Sequence, residues 1–303
     1  MKPTPPHPRH EEIRFTQNFL HSPALVARLV ALAGLKRGDT VLEAGPGKGI
    51  ITRKLAEAVG SEGKVIAVEL DSGLAEKLRA ALGDLTQVGI ETLDILRFRL
   101  ADLPRGYKVF ANVPFNITSA LLEMLLNPAS GPEQAHLILQ RETLIGSNEQ
   151  GTQAETFKSL MIKPVYRIET AYTFARSDFS PQPSVETALF AFTKREPPLV
   201  DPARYGLYKD FLAVVSKDRF GEGAWSRLFS TAQLRMLEER AGFAAARGLK
   251  SQTAEAMAAA FQLFAAGSAA KTGAVNGAMA ALRDEQERRE HINRAGGHRR
   301  PKR

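Results

Sequence analysis

Asn112-Val113-Pro114-Phe115 is the stretch whose residue types could do chemistry. An Asn side-chain oxygen is a good hydrogen-bond acceptor, and Pro has no backbone N–H to donate. The Asn112 carbonyl and a neighbouring backbone carbonyl can together accept both hydrogens of a single –NH₂ group. Phe115 beside them is a flat apolar platform on which a planar base could stack. An apolar run precedes the tetrapeptide (residues 107–111) and a helix-like run follows it (residues 117–126). That places it at the end of a strand in an open α/β sheet, in the crevice where such sheets bind ligands. Taken by itself, the same tetrapeptide fits a strand-end turn with a buried Phe equally well.

The elements that must position this stretch come earlier in the chain. Residues 40–44 read as a buried strand, Gly45-Pro46-Gly47-Lys48-Gly49 as a tight turn, and residues 50–59 as a helix. Glycines permit such a turn and let a ligand approach the backbone. The Gly-Lys-[Ser/Thr] ending of a P-loop is missing, and the glycine spacing differs from a dinucleotide fingerprint. Glu43 precedes the first glycine, which suits a ligand with a cationic centre and an amino acid moiety better than one with phosphates. A second strand (residues 64–68) ends in Glu69-Leu70-Asp71, where such folds place a carboxylate that accepts from ribose hydroxyls. A third strand (residues 88–93) ends in Asp94, which either accepts from an adenine amino group or caps its own turn. Acidic ends on successive strands point to one adenosine-containing ligand across the sheet edge. Upstream, Gln17-Asn18-Phe19-Leu20 precedes a helix start with Ser22 as N-cap and Pro23 at the first position. The polar pair Gln17-Asn18 has no packing reason to be there.

After the Asn112 strand, residues 134–140 read as a fifth strand and residues 141–155 as a mobile loop or broken helix near the mouth of the site. A helical segment (residues 156–162) leads to two strands, residues 166–174 and 185–193. The short link between them, residues 178–184, makes them a hairpin, so one runs antiparallel to the rest. Glu196-Pro197-Pro198 marks a boundary. Beyond it, residues 204–215, 231–241 and 251–264 read as short amphipathic helices. Between the first two, Lys217, Arg219 and Arg227 alternate with aromatics around Trp225. That mixture suits RNA contact with stacking, or equally a helix-capping turn over a buried Trp. Residues 265–275 read as a small-residue linker, and the charge-rich residues 283–303 as disordered.

Composition narrows the function classes. The 303 residues allow one large domain plus a small one or a tail, and an apolar share of 44% suffices for an ordinary core. With no cysteine, disulfides, thiolate zinc sites and thiol catalysis are excluded. The six His show no metal-ligand spacing and read as surface imidazoles. No run is long enough to span a membrane, and the Pro-rich start does not read as a signal peptide. A net charge of +8 and a pI near 9.7 favour a polyanionic partner, since Lys and Arg gain by displacing counterions from phosphates.

Taken as an ordered set, these motifs resemble the rRNA adenine N6-methyltransferases, which include the Erm macrolide-resistance enzymes and the KsgA-type dimethyltransferases. The resemblance covers most of residues 13–230: Gln17-Asn18-Phe19-Leu20, the glycine turn, Glu69-Leu70-Asp71, Asp94, the Asn-x-Pro-aromatic motif and the link from Phe179 to Val185. It implies an α/β fold, a Rossmann-like seven-stranded S-adenosylmethionine-dependent methyltransferase domain (residues 1–195). A small helical RNA-contacting domain (residues 196–265) and a basic tail (residues 266–303) would follow. It implies S-adenosylmethionine, without a metal, held by Gln17, Asn18, Leu20, Glu43, Gly45, Gly47, Glu69, Leu70, Asp94, Ile95 and Asn112. Asn112, Pro114 and Phe115 would hold the target adenine, and Phe19, Lys217, Arg219 and Arg227 would meet RNA.

The Erm branch looks closer through Glu69-Leu70-Asp71-Ser72, Asp94-Ile95-Leu96 and Arg227-Leu228-Phe229, which implies a cytoplasmic monomer acting on 23S rRNA and conferring macrolide resistance. A KsgA-like enzyme of 16S rRNA and a non-catalytic RNA-binding homologue are the alternatives. Thr16 stands where the family often has Gly, Phe115 replaces the commoner Tyr, and residues 145–155 depart from the Erm pattern.

Overall fold

The computed structural model describes residues 18–147, 153–216, 222–245 and 248–296. The chain divides into two compact units, Met1–Thr143 with Tyr166–Glu196, and Leu144–Val165 with Pro197–Arg303.

The first unit is built on a seven-stranded sheet. Its strands are β2 (Thr40–Ala44), β3 (Lys64–Glu69), β4 (Val88–Thr92), β5 (Lys108–Asn112), β6 (Gln134–Gln140), β9 (Tyr166–Thr173) and β11 (Thr187–Lys194). They lie in the order β4-β3-β2-β5-β6-β11-β9, parallel throughout except for β11, which runs antiparallel to both neighbours. The central strands carry near-continuous apolar runs because helices cover both faces of a parallel sheet. Val41, Leu42, Ala67, Val109 and Ala111 are accordingly buried. Helix α1 (Pro23–Leu32) starts at Ser22, whose hydroxyl accepts from the Leu25 N–H, and buries Val26, Leu29 and Val30. Helix α2 (Ile50–Val59) buries Ile51, Leu55, Ala56 and Val59 in the same core. The helix-like run after the tetrapeptide is α4 (Thr118–Leu125), and α3 (Ser72–Leu82) follows β3.

The link between β9 and β11 is more than a hairpin turn. It holds β10 (Phe179–Ser180), which pairs antiparallel with β1 (Phe19–Leu20). His136, expected at the surface, is buried on β6 beside Phe110, and burial, with help from the Lys108 charge, lowers its pKa to about 4.

In the second unit, the described residues between 144 and 155 are not simply a loop. Strands β7 (Ile145–Ser147) and β8 (Gln153–Glu155) pair antiparallel, and α5 (Phe157–Ile162) follows with a Thr156/Ser159 capping box. Tyrosines on α6 (Tyr205–Ser216) fasten this stretch: the Tyr205 and Tyr208 hydroxyls donate to the carbonyls of Met161 and Leu160 at 2.9 and 2.8 Å. These carbonyls end a short helix and need outside donors. The remaining helices are α7 (Glu222–Leu228), α8 (Thr231–Ala241), α9 (Ala254–Ala265), α10 (Ala269–Gly273) and α11 (Ala278–Gly296).

The last two helices correct the expectation of a linker and a disordered tail over residues 266–296, while residues 297–303 of that tail lie outside the described residues. Ala, Arg, Glu and Gln are strong helix formers, and Asp284 and Arg288 are spaced for an i,i+4 pair. The start of α11 is tied down: Asp210 of α6 accepts from the backbone N–H groups of Gly277 and Met279 at 3.0 and 2.9 Å. Among the described residues, no helix is long and apolar enough to cross a membrane.

Candidate active site

The parallel strands β2, β3 and β5 all end at one edge of the sheet, and their carboxyl ends carry the residues singled out above. A cleft there encloses about 600 Å³ of atom-free space, part of it open to solvent. Asn18, Phe19, Leu20, Gly45, Asn112, Pro114 and Phe115 line it. Phe115 is half-buried, with part of its surface at the cleft. The Asn112 side-chain amide donates to the Asn18 main-chain carbonyl at 2.7 Å, so one of its two polar atoms is already engaged. The Pro114 carbonyl is engaged as well, accepting from the Ile117 N–H at 3.2 Å and the Thr118 hydroxyl at 3.3 Å.

Glu69, Leu70, Asp94 and Ile95 stand on the neighbouring strand ends, outside the lining of this cleft. Glu69 reaches the glycine turn: its carboxylate accepts from the Gly47 N–H at 3.1 Å and the Asp71 N–H at 3.0 Å. Gly47 sits at φ +56°, and a Cβ there would come within 2.6 Å of the Phe19 ring. Only glycine lets the turn approach Phe19 this closely. Asp94 caps its own turn, accepting from the Leu96 N–H at 2.9 Å. Leu70 is 39% exposed, one of few large apolar side chains so presented, while Ile95 is buried.

Glu43 lies beneath the site rather than in it. It is 1% exposed, and among the described residues neither of its carboxylate oxygens, nor the Thr52 hydroxyl, completes a hydrogen bond. Burial raises its pKa to about 8; the Thr52 hydroxyl offsets part of that rise and the Glu69 charge adds to it. Helix α2 begins next to the turn with Gly49 at its N-cap and no side-chain cap, so its first N–H groups lack a local acceptor. An uncapped helix start beside a glycine turn fits a ligand that carries a carboxylate.

The residues expected to meet RNA fare differently. Phe19 packs against Gly47 in the cleft, with the Lys48 ammonium 5.5 Å from its ring centroid. Arg227 is exposed on α7. Trp225, whose ring was a candidate for stacking, is 1% exposed and packs edge-on against Phe243 at 4.8 Å. The buried-Trp alternative is therefore the one observed. Gln17, Lys217 and Arg219 lie outside the described residues. The sequence reading missed Lys48 as a lining residue, although its place inside the glycine turn was the signal for it. It also missed Thr187, which line the same cleft with Phe179.

The chain is similar to known proteins over most of its length. The ribosomal RNA adenine dimethylase family model matches residues 9–266. The ribosomal RNA small subunit methyltransferase A of Crocosphaera subtropica is 35% identical over 210 residues, covering 63% of this chain and 73% of its own. Its counterpart from Rubrobacter xylanophilus is 34% identical over 213 residues, covering 68% of this chain and 76% of its own. Among solved structures, the 23S rRNA methyltransferase ErmE superposes with a TM-score of 0.69 at 24% identity, over 82% of this chain and 100% of its own. A dimethyladenosine transferase from Plasmodium falciparum gives 0.59 at 20% identity, over 74% of this chain and 79% of its own. These two likenesses establish the Rossmann-like methyltransferase fold. The chain belongs to the ribosomal RNA adenine dimethylase family and is an S-adenosylmethionine-dependent rRNA adenine methyltransferase.

Proposed function

We propose that this protein methylates the N6 amine of an adenine in 23S rRNA, at the cleft beside Asn112. The observation that carries the reading is the Asn112 carboxamide. Its nitrogen is committed to the Asn18 carbonyl, so its oxygen is the atom left to accept from a substrate amine. The Val113 carbonyl would be the second acceptor, since that of Pro114 already accepts from Ile117 and Thr118. An adenine amine is a poor nucleophile because its lone pair is delocalised into the ring. Two acceptors on its hydrogens favour a pyramidal nitrogen and free the lone pair. Phe115 stacks on the base, which must first leave its own stack, as is easiest in looped RNA.

S-adenosylmethionine supplies an electrophilic methyl group and departs as a neutral thioether, so orientation and electrostatics provide most of the acceleration. Asn18, Leu20, Gly45 and Gly47 would hold its amino acid moiety, with Glu43 beneath; Gln17 precedes them in the chain. Glu69 would accept from the ribose hydroxyls, and Leu70, Asp94 and Ile95 would frame the adenine. Arg227, with Lys217 and Arg219, would meet the RNA backbone.

The 23S assignment is supported by the motifs at residues 69–72, 94–96 and 227–229 and by a fold likeness spanning the whole ErmE chain. A second reading, 16S rRNA as substrate, draws on the higher identity to the small-subunit enzymes. Mass-spectrometric mapping of rRNA from expressing cells decides between them. Methylated adenine in 23S rRNA, with raised macrolide tolerance in a sensitive host, is the expected result. Methylation confined to 16S rRNA establishes the second reading, and unmodified rRNA overturns both.

A further inference from the structure

Residues 18–20 and 179–180 come together from opposite ends of the first unit. In their antiparallel pairing Phe19 faces Ser180 and Leu20 faces Phe179. Leu20 and Phe179 are 4% and 3% exposed, in one apolar core, and the Phe179 ring lies 5.0 Å from that of Phe174. Just beyond, the His21 ring donates from Nε2 to the Ser177 carbonyl at 2.9 Å. The carbonyl that meets Asn112 belongs to Asn18, the residue immediately before this anchored pair.

A carboxamide has a donor half and an acceptor half, and a main-chain carbonyl can only accept. A carbonyl fixed at 2.7 Å therefore selects one of the two faces of the Asn112 amide. We propose that the β1–β10 pair is a positioning strap, and that the Asn18 main-chain carbonyl holds the Asn112 amide nitrogen so that the carboxamide oxygen faces the substrate amine. The inference rests on the methyltransferase reading and assigns Asn18 a role that its side chain does not carry. Without the strap the amide can turn over, and half of the site's acceptors become donors pointed at a donor.

The substitution Asn112→Asp separates this from a simple acceptor role. An ionised Asp has two acceptors and no donor, so one oxygen would confront the Asn18 carbonyl. Only the protonated acid restores the bond. Relative to wild type, turnover of Asn112→Asp should be down at least about 100-fold at pH 8 and recover by about tenfold per pH unit on acidification, following the protonated fraction. If position 112 serves only as an acceptor, the relative rate stays flat with pH, which overturns the proposal.

A second measurement starts from the wild-type protein and needs no turnover for its first arm. In protein labelled with ¹⁵N-asparagine, the Asn112 side-chain amide should give one downfield proton that exchanges slowly with water. Phe179→Ala should release that proton to solvent-rate exchange and lower kcat more than it raises the KM for S-adenosylmethionine, and Phe179→Leu should restore both. A wild-type Asn112 amide that exchanges at solvent rate overturns the strap, as does Phe179→Ala lowering kcat with the amide signal unmoved. Absence of methyl transfer by the wild type to any rRNA counts against the proposed function instead, and leaves the labelling experiment decisive for the strap.

Discussion

Phe115 and Trp225 look alike in the sequence: each is an aromatic followed directly by a polar residue, Asn116 and Ser226, and each is a candidate platform for a base. The structure separates them. Phe115 comes three residues after the last residue of a parallel strand, at the start of a 3-10 turn, and it remains half-buried at a cleft. Trp225 sits on an amphipathic helix and turns inward to meet Phe211 and Phe243. Polar neighbours therefore say little about an aromatic's fate. Its place relative to the end of a sheet or the face of a helix decides whether it stacks on a ligand or on its own core.

The comparison can be broken by reciprocal truncation. Trp225→Ala should cost about 3–5 kcal/mol of stability, the range for emptying a large buried aromatic site. Urea unfolding reads this directly, and a loss within about 0.5 kcal/mol, as at an ordinary surface position, would mean that Trp225 is not a core residue. Asn112→Ala should lower kcat by about 10²–10³-fold while S-adenosylmethionine affinity stays within a few-fold, because the acceptor acts on the amine during reaction. Single-turnover methylation with isothermal titration separates the two, and wild-type turnover from this variant removes Asn112 from the chemistry.

Phe115→Ala should leave stability almost unchanged yet weaken rRNA capture by about 1–3 kcal/mol, the value of one stacked base. Phe115→Tyr should be tolerated. If Phe115→Ala instead unfolds like Trp225→Ala, with rRNA affinity intact, the two aromatics belong to one class after all.

Glu43 sharpens the same contrast for a charged group. Its folded pKa, about 8, lies above the ordinary 4.5, so between those values the folded chain holds a proton that the unfolded chain has lost. Stability therefore falls as pH rises through that window, by up to about 1.4 kcal/mol per pH unit, and the penalty is fully developed above it. Glu43→Gln should abolish that part of the slope in urea titrations across the window. An unchanged slope would show that Glu43 ionises freely in the folded protein.

Much of the catalytic unit was legible before folding because its signals are local. Buried parallel strands advertise themselves as continuous apolar runs, and a turn such as Gly45 to Gly49 needs glycines wherever φ is positive. The strand ends then follow by counting, which is why Glu69, Asp94 and Asn112 could be named together. Short-range pattern misled where charge density stood in for disorder: residues 278–296 form a helix. A Pro-rich break near residue 196 was visible in the sequence. The transfer of residues 144–165 to the second unit was not, because it depends on tyrosine hydroxyls some 45 residues away finding helix-end carbonyls.

Residue types and their spacing determined that this chain makes a doubly wound sheet with acceptors and an aromatic at one strand end. Tertiary structure alone decided which way the Asn112 carboxamide faces, that Glu43 is sealed off beneath the site, and that Trp225 belongs to a core. Periodicity records how often a residue meets the interior. A hydrogen bond between partners 94 positions apart leaves no period behind and exists only once the chain has closed.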